Sequence, residues 1–375
     1  MKGGDKLKKK VFKYGELFCG PGGLALGAMN SKVINNGIEY SIQHSWANDY
    51  DENSCKTYRR NIAIHDPESV AYADVKDLKI KGLGKIDAFA YGFPCNDFSI
   101  VGERKGFNGT YGPLYTYGLK VLDHFKPTFF IAENVGGIRS ANQGEAFRKI
   151  LFDLGRAGHG YTLTANLYKA EKYGVPQTRH RVIIVGLANR TGKVFNIPKP
   201  TTPDTPMTVM EALELPAIPQ DAANHERTRE SAVVIERLKL IKPGQNVWNA
   251  DLPPHLQLNV KTAKLSQIYK RLHPNLPSYT ITGSGGGGTH GYHYKEPRAL
   301  TNRERARIQT FPDDFIFEGE KESVRKQIGM AVPPKLAEII FTHVLMTLAG
   351  VEYEHVEPNI EIDLPISYKD HKIAA

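Results

Sequence analysis

Strand-length apolar runs alternate with helix-like segments through the first half of the chain, and this alternation restricts the fold more than any other feature. The runs occupy residues 11–18, 42–47, 86–93, 128–132 and 182–187. Between some of them, residues 114–125 and 145–154 have the apolar spacing of helices. Parallel strands need such crossover connections. The sequence therefore predicts an α/β fold built on a doubly wound, mostly parallel sheet.

The composition changes after about residue 195, where the chain becomes Pro-rich and polar, and the apolar residues show only weak periodicity up to residue 294. We expect a first domain over residues 1–195, a smaller irregular domain over 196–295, and a C-terminal segment over 296–375. A late apolar stretch has helical spacing, with Pro near its start and Gly350 to close it. This helix is expected to pack beside the first strand and return the chain to the first domain.

Composition narrows the possible functions. Only Cys19, Cys55 and Cys95 are present in 375 residues, so a disulfide framework is not expected and the thiols should be reduced. No apolar run reaches the roughly 18 residues of a membrane span, and a signal-peptide core is lacking, which predicts a cytoplasmic protein. The net charge of +9 makes nucleic acid a partner at about even odds from charge alone.

A glycine-rich turn follows the first predicted strand in "ELFCGPGGLALG". Gly20, Gly22 and Gly23 can form a tight turn that opens a helix and approaches a ligand at the strand's carboxyl end. The alternative is a plain strand-to-helix turn. The dinucleotide fingerprint G-x-G-x-x-G is absent, because these glycines are spaced differently.

Polar residues also end the next two strands, in "WANDYDEN" and "AYADVKDL". Asp49 can accept hydrogen bonds from ribose hydroxyls, and Tyr50 can stack on a purine. Asp74 can accept a hydrogen bond from an adenine amino group. A nucleoside ligand without a bound pyrophosphate, such as S-adenosylmethionine, fits this set better than NAD.

A cysteine follows the fourth strand in "YGFPCNDFSI", at the edge where open α/β sheets bind ligands. Cys95 and Glu133, in "FFIAENV", are separated by enough chain for one β-α-β crossover, which would bring thiol and carboxyl to one pocket. Arg179 and Arg181 are two apart entering a strand, and hence on one face. They can orient Glu133, grip a substrate oxygen, or form an ordinary edge ion pair.

Two glycine-rich segments remain. Residues 100–112 are a candidate loop that closes over a ligand, with a passive surface loop as the alternative. The run at residues 285–288 is either a flexible loop or a backbone that comes very close to a ligand or duplex.

The motifs "FCGPGG", "GFPCNDFS", "AENV", "QTRHR", "RALTNRERARIQTFPDDF" and "QIGMAVPP" occur in this order over residues 11–350. This order resembles the DNA cytosine carbon-5 methyltransferases, especially those of bacterial restriction–modification systems. The resemblance implies a Rossmann-like S-adenosylmethionine-dependent methyltransferase fold, double-stranded DNA as substrate, and a target recognition domain at residues 196–295. It also implies a covalent cysteine adduct with a flipped-out cytosine, a monomer, and no metal.

The resemblance assigns residues to three sets. Catalytic residues would be Cys95, Glu133, Arg179 and Arg181. Cofactor contacts would be Phe18, Cys19, Gly20, Pro21, Gly22, Gly23, Asp49, Tyr50, Asp74, Val75, Pro94 and Leu114. DNA contacts would be Asn96, Ser99, Gly102, Arg104, Thr282, Gly285 and Gly286.

Two positions depart from the family pattern. Asn96 stands where glutamine usually follows the nucleophile, and Met330 stands where asparagine commonly follows glycine. A tRNA cytosine carbon-5 methyltransferase of the same fold is the nearest alternative, although it would not need a recognition region of this length. A catalytically silent DNA-binding regulator is the other, and it would be expected to lack the Cys95 and Glu133 pair.

Overall fold

The computed structural model describes residues 7–93, 114–259, 265–283 and 288–362. Its strands are β1 (Lys8–Leu17), β2 (Lys32–Asn35), β3 (Ile38–Asp49), β4 (Val70–Tyr72), β5 (Ala88–Gly92), β6 (Phe129–Val135), β7 (Tyr161–Lys169), β8 (Gln177–Thr178), β9 (His180–Ala188), β10 (Ile197–Pro198), β11 (Ser278–Tyr279) and β12 (His355–Val356). Its helices are α1 (Gly23–Asn30), α2 (Glu52–Asn61), α3 (Tyr115–Phe125), α4 (Glu145–Arg156), α5 (Val209–Glu214), α6 (Ala232–Leu240), α7 (Asn302–Ile308), α8 (Lys321–Met330) and α9 (Pro334–Ala349).

One eight-stranded sheet carries the candidate site. Its order is β2-β3-β1-β5-β6-β9-β7, and β4 pairs with β3 outside this path. Strands β4, β3, β1, β5 and β6 are parallel to one another, whereas β2 pairs antiparallel with β3, and β9 pairs antiparallel with both β6 and β7. The predicted α/β sheet is thus confirmed, with an antiparallel end that the apolar runs did not reveal. Strand β7 contains two threonines and an asparagine, so it does not read as an apolar run.

The β5-α3-β6 crossover is the unit on which the candidate chemistry depends. Strands β5 and β6 are parallel neighbours, and Gly92 lies opposite Glu133 in their register. Helix α3 covers the connection, as the helical spacing of residues 114–125 predicts. The carboxyl ends of both strands therefore lie at one edge of the sheet, as expected.

The late helix α9 returns to the first strand. The rings of Tyr14 on β1 and Phe341 on α9 meet edge to face, with their centroids 5.8 Å apart. A side chain at Gly27 of α1 would place its Cβ 2.5 Å from the Cβ of Ala337. Only glycine permits this close helix contact. Helix α9 ends at Gly350, whose φ of 74° closes it as the sequence predicts.

Between residues 199 and 300, the described part of the chain forms only short elements. Helix α5 begins with a capping box, in which Thr208 and Glu211 satisfy each other's backbone N–H groups. A small separate core packs this region against α7; its buried members are Val209, Leu213, Leu272, Ile281, Tyr294, Leu300 and Ile308.

Among the described residues, Lys321–Ala349 is long and apolar enough to cross a membrane by length and composition alone. The stretch comprises two helices, α8 and α9, with residues 331–333 between them. Most of its apolar window is buried inside the protein. It is therefore a core element.

Candidate active site

The turn between β1 and α1 has a backbone that few residues tolerate. Gly20 and Gly22 have φ values of 51° and 98°, and Phe18 has φ 55°. A left-handed conformation is uncommon for a bulky residue and often marks a functional site. A Cβ at Gly23 would lie 2.3 Å from the carbonyl oxygen of Val332, so the turn also packs against the start of α9. Glycine is required here by geometry.

Asp49 holds this turn in place. Its Oδ2 accepts a hydrogen bond from the Gly20 N–H at 2.8 Å, and its Oδ1 accepts one from the Asp51 N–H at 2.9 Å. Burial raises the pKa of Asp49, and these backbone donors oppose the shift. A carboxylate offers about four acceptor positions, so two are left for a ligand hydroxyl.

Tyr50 and Asp74 flank the same strand ends. Tyr50 is 59% exposed, and the Lys326 ammonium lies 5.8 Å from the centre of its ring. Asp74 is exposed, and its Oδ1 accepts a hydrogen bond from the Lys76 N–H. Asn48, which sequence reasoning missed, donates to the carbonyl oxygens of Ala71 and Ala73 at 3.0 and 2.9 Å and so fixes the segment that carries Asp74. Its signal was an amide directly before Asp49 in "WAND".

The space beside the turn is open to a ligand. No heavy atom lies within 4 Å of the position that a Cβ at Gly20 would take. The expected contacts Val75 and Leu114 are buried in one core cluster with Phe18 packed against it. An open backbone turn, a held carboxylate and an exposed tyrosine are the groups that a ribose and a purine require.

Glu133 and Arg181 form a close pair at the carboxyl end of β6. Arg181 Nε lies 2.8 Å from Glu133 Oε1, and both side chains are nearly buried. Burial raises the pKa of Glu133, while Arg181 and Arg179 oppose the shift. A buried carboxyl with a raised pKa can donate a proton or hydrogen bond to a substrate, with the guanidinium fixing its orientation.

Arg179 has different contacts. Its guanidinium is buried and donates to three carbonyl oxygens, those of Ile281 at 3.1 Å and of Gly329 and Ala331 at 2.9 Å each. Burial lowers its pKa well below the usual value. Arg179 thus joins the start of β9 to the 281 segment and to the end of α8. Glu133 is close enough to oppose the lowering of the Arg179 pKa, but the hydrogen bonds of Arg179 go to backbone carbonyl oxygens. Arg181, by comparison, contacts the Glu133 carboxyl directly.

Two further side chains position the site, and sequence reasoning missed both. Asn134 Nδ2 donates to the Phe93 carbonyl oxygen at 3.0 Å, which fixes the end of the chain leaving β5. Gln177 is fully buried; it donates to Gln309 Oε1 and accepts from the Ile281 N–H at 2.8 Å. Their signal was a polar amide inside or beside an apolar strand, within "AENV" and "PQTRHR".

Several expected residues fall outside the described residues. They are Pro94, Cys95, Asn96, Ser99, Gly102, Arg104, Gly285 and Gly286. The described chain reaches Phe93, two residues before Cys95, at the carboxyl end of β5 and beside Glu133. Its path up to that point is the one that the β-α-β expectation requires.

The other two cysteines are core residues. Cys19 and Cys55 are buried, and neither forms a disulfide. Burial raises the pKa of the Cys55 thiol to about 12 and that of Cys19 well above its usual value. Both therefore remain protonated at neutral pH and are poor nucleophiles.

Thr282 lies where the irregular region meets α8. Its side chain is exposed, and its carbonyl carbon is 2.2 Å from the position of a Cβ at Gly329. The next residue, Met330, is 62% exposed. The backbone at 282–283 thus rests directly on α8, one turn from Arg325.

Known proteins share this chain's sequence over nearly its whole length. A family profile described as C-5 cytosine-specific DNA methylase matches residues 12–345. Over 352 residues the chain is 58% identical to the Type II methyltransferase M.BbvI of Brevibacillus brevis, covering 92% of this chain and 94% of that protein. Over 326 residues it is 40% identical to the Type II methyltransferase M.NgoFVII of Neisseria gonorrhoeae, covering 85% and 82%.

The fold has a counterpart among solved structures. A DNA modification methyltransferase encoded within a prophage, from E. coli, aligns with a TM-score of 0.68 and 24% identity, covering 90% of this chain and 99% of that one. At this identity the similarity concerns the fold alone.

Proposed function

Because the chain belongs to the C-5 cytosine-specific DNA methylase family and is a DNA (cytosine-5-)-methyltransferase of the type II restriction–modification kind, we propose that it methylates a specific duplex site through a covalent adduct at Cys95. The observation that carries this mechanism is the β5-β6 pair, which sets Glu133 beside the strand leading to Cys95.

The proposed chemistry begins with the thiolate of Cys95. Carbon 5 of cytosine is a poor nucleophile, but addition of sulfur to carbon 6 makes carbon 5 enamine-like. Carbon 5 would then take a methyl group from a sulfonium donor, whose methyl–sulfur bond would break and leave a thioether. Removal of the proton from carbon 5 restores the double bond and expels the thiolate. Complete ionisation of a free cysteine would supply only about thirtyfold, or about 2 kcal/mol, so most of the acceleration must come from elsewhere.

Glu133 supplies part of that remainder. As sulfur adds to carbon 6, electron density moves toward ring nitrogen 3, and a protonated Glu133 can donate to that atom. Burial raises the pKa of Glu133, which favours the protonated form, although Arg181 and Arg179 oppose this shift. Arg181, 2.8 Å away, holds the carboxyl in one orientation. Arg179 acts as a positioning residue through Ile281 and Gly329.

S-adenosylmethionine is the methyl donor that the family uses, and it supplies an electrophilic methyl group. We assign its site to the turn at Phe18–Gly23 with Asp49, Tyr50 and Asp74. Asp49 would accept from the ribose hydroxyls while still holding the Gly20 N–H. Tyr50 would cover the purine, and Asp74 would accept from its amino group.

The substrate is DNA, and the target base must leave the helical stack to reach this edge of the sheet. We propose that residues 196–295 read the site, that the enzyme acts as a cytoplasmic monomer, and that its product protects host DNA from a cognate restriction enzyme. The small core cluster of this region is separate from the core of the main sheet, which supports a separate recognition unit.

Bisulfite sequencing tests the function. A plasmid exposed to the purified enzyme and S-adenosylmethionine should show 5-methylcytosine at one short recurring sequence and at no other cytosine. The Glu133→Ala variant serves as the inactive control. Methylation of a tRNA mixture without methylation of the plasmid would contradict the proposal, as would methylation scattered without a sequence rule.

A further inference from the structure

Arg305 is a buried guanidinium, and the described residues form no salt bridge with it. It is 3% exposed, and its Nε atom is fully buried without a hydrogen-bond partner among the described residues. Two other arginines of α7 are fully engaged. Arg303 donates to three carbonyl oxygens, and Arg307 pairs with Asp313. Burying an unpaired charge is unfavourable, so a side chain kept in this state has another purpose or an absent partner.

A second positive charge lies beside it. Arg325 on α8 donates to His290 Nδ1 at 3.1 Å, so this histidine accepts and carries no charge on that nitrogen. Burial and both arginines lower the pKa of His290. Within the described residues, Arg325 lies 3.5 Å from Glu322, whose side chain is 87% exposed. Arg325 therefore adds a second positive charge close to the buried guanidinium of Arg305.

The acid nearest to Arg305 on its own helix is already occupied. Both oxygens of Glu304 accept from Arg298, at 2.7 and 2.9 Å. Burial, together with Arg325, lowers the pKa of Arg305 to about 10, which leaves it charged at neutral pH. In the part of the chain that the structure describes, no carboxylate is paired with Arg305, so an anion from outside the chain is a partner that fits it.

Arg305 opens onto a small cavity lined by hydroxyl and basic groups. Its walls include Thr280, Thr282, Thr289 and His290. The cavity has a volume of about 10 Å³, which is room for one oxygen atom of a larger group. A phosphate would thus sit at the mouth and direct one oxygen toward the guanidinium. Planar guanidinium groups match phosphate oxygens in geometry and charge.

Short contacts connect the cavity wall to Glu133 and Arg181. Thr280 Oγ1 donates to the Thr178 carbonyl oxygen at 2.7 Å, and the next carbonyl, that of Ile281, accepts from Arg179. Arg181, two residues further on, contacts Glu133. A group held at the cavity mouth would therefore be close to the edge where the target base is expected.

We propose that Arg305 and Arg325 hold a backbone phosphate of the DNA strand next to the target base, with the cavity receiving one phosphate oxygen. This inference rests on the proposed function, because it requires DNA at this edge of the sheet. It adds a specific anchor on α7 and α8 to the DNA contacts expected from the sequence. Since a phosphate carries no base identity, the anchor sets position and not sequence preference.

The test replaces Arg305 with Met, which is similar in length but uncharged. Duplex affinity is measured by fluorescence anisotropy over a series of KCl concentrations. The slope of log affinity against log salt should become shallower by about one for Arg305→Met, and affinity should fall equally for target and non-target duplexes. S-adenosylmethionine affinity should be unchanged. Arg190→Met is the matched control, since Arg190 lies past the opposite end of β9 and its loss should leave the slope unchanged.

Thermal denaturation separates this role from a structural one. Removing an unpaired buried charge should leave the melting temperature of free Arg305→Met unchanged or higher. A lower melting temperature, failure to fold, or an unaltered salt slope would each overturn the proposal. The wild-type protein distinguishes the two levels of inference. Salt-dependent duplex binding without methyl transfer would refute the proposed function alone, whereas active methylation with an unaltered slope in Arg305→Met would refute the phosphate anchor alone.

Discussion

At the scale of single residues, Asp49 illustrates how one side chain can serve both the fold and a ligand. Its two oxygens each accept one backbone N–H, from Gly20 and Asp51. Removing the whole side chain would therefore disturb the turn as well as the expected ribose contact. The isosteric amide is the sharper change, since it keeps one acceptor oxygen and removes the charge.

We predict that Asp49→Asn weakens S-adenosylmethionine binding by tenfold or more. Hydrogen bonds to a charged group contribute about 1.5–3 kcal/mol, and the amide loses this advantage. Calorimetric titration measures the affinity, and near-ultraviolet circular dichroism checks that the fold is kept. Asp77→Asn, on the exposed segment after Asp74, is the control. An affinity equal to that of the wild type would remove Asp49 from the cofactor site.

The raised pKa of Glu133 predicts that kcat depends on pH. Burial raises its folded pKa, so the proton needed for donation is held below that raised pKa and lost as pH rises through it. With saturating substrates, kcat should therefore decline on the alkaline side. Glu133→Gln should lower kcat by about 100-fold or more, since general acid catalysis contributes at least that much. It should also abolish the alkaline decline, and a decline that persists in this variant would assign it to another group.

At the scale of elements, the seam between the 281–283 segment and α8 depends on the absence of side chains. A Cβ at Gly329 would lie 2.0 Å from the Gly283 nitrogen, and backbone cannot yield as a flexible side chain can. The carbonyl oxygen of Gly329 also accepts from Arg179. Gly329 therefore serves both the packing of α8 against the 281–283 segment and the hydrogen bond from Arg179.

We predict that Gly329→Ala destabilises the protein by about 1–3 kcal/mol, because overpacking forces the backbone apart. Gly82→Ala is the matched control, since nothing lies within 4 Å of its added Cβ, and its effect should stay within about 0.5 kcal/mol. Urea unfolding followed by circular dichroism measures both. Equal urea midpoints for the two variants would show that the 281–283 segment and α8 move apart without loss of stability, and would contradict the prediction.

The sequence predicted the elements whose periodicity is strong. Strands β5, β6 and β9 and helices α3 and α9 are apolar runs or amphipathic stretches, because burial sets their pattern. The sequence could not show that Arg179 and Arg181 have different contacts, since a two-residue spacing places both on one face. What distinguishes them is the carbonyl oxygens of Ile281 and Gly329, which are 102 and 150 residues away in sequence. Long-range contacts of this kind leave no local pattern.

At the scale of the whole molecule, specificity and chemistry are proposed to occupy different parts of the chain. The contacts from Gln177 and Arg179 to the irregular region reach the N–H and carbonyl oxygen of Ile281, not its side chain. Backbone contacts survive replacement of the side chains around them. The reading region should therefore be exchangeable as a unit.

We predict that replacing residues 196–295 with the aligned segment of the Neisseria gonorrhoeae relative transfers that relative's sequence preference. The rate of methyl transfer should remain within about tenfold, because Glu133 and the Phe18–Gly23 turn are unchanged. Bisulfite sequencing reads the preference. An active chimera that keeps the original preference would place recognition elsewhere in the chain.

The most direct measurement for the whole account is trapping of the covalent intermediate. Fluorine on carbon 5 cannot leave as a cation, so the final elimination fails and the cysteine stays bonded to carbon 6. Duplex DNA with 5-fluorocytosine at the target, incubated with the enzyme and S-adenosylmethionine, should give an adduct that survives denaturing electrophoresis. Cys95→Ala should give none, while Cys55→Ala, which removes a buried thiol whose pKa is about 12, should still form it. An adduct that persists in Cys95→Ala, or that maps by mass spectrometry to Cys19 or Cys55, would contradict the account.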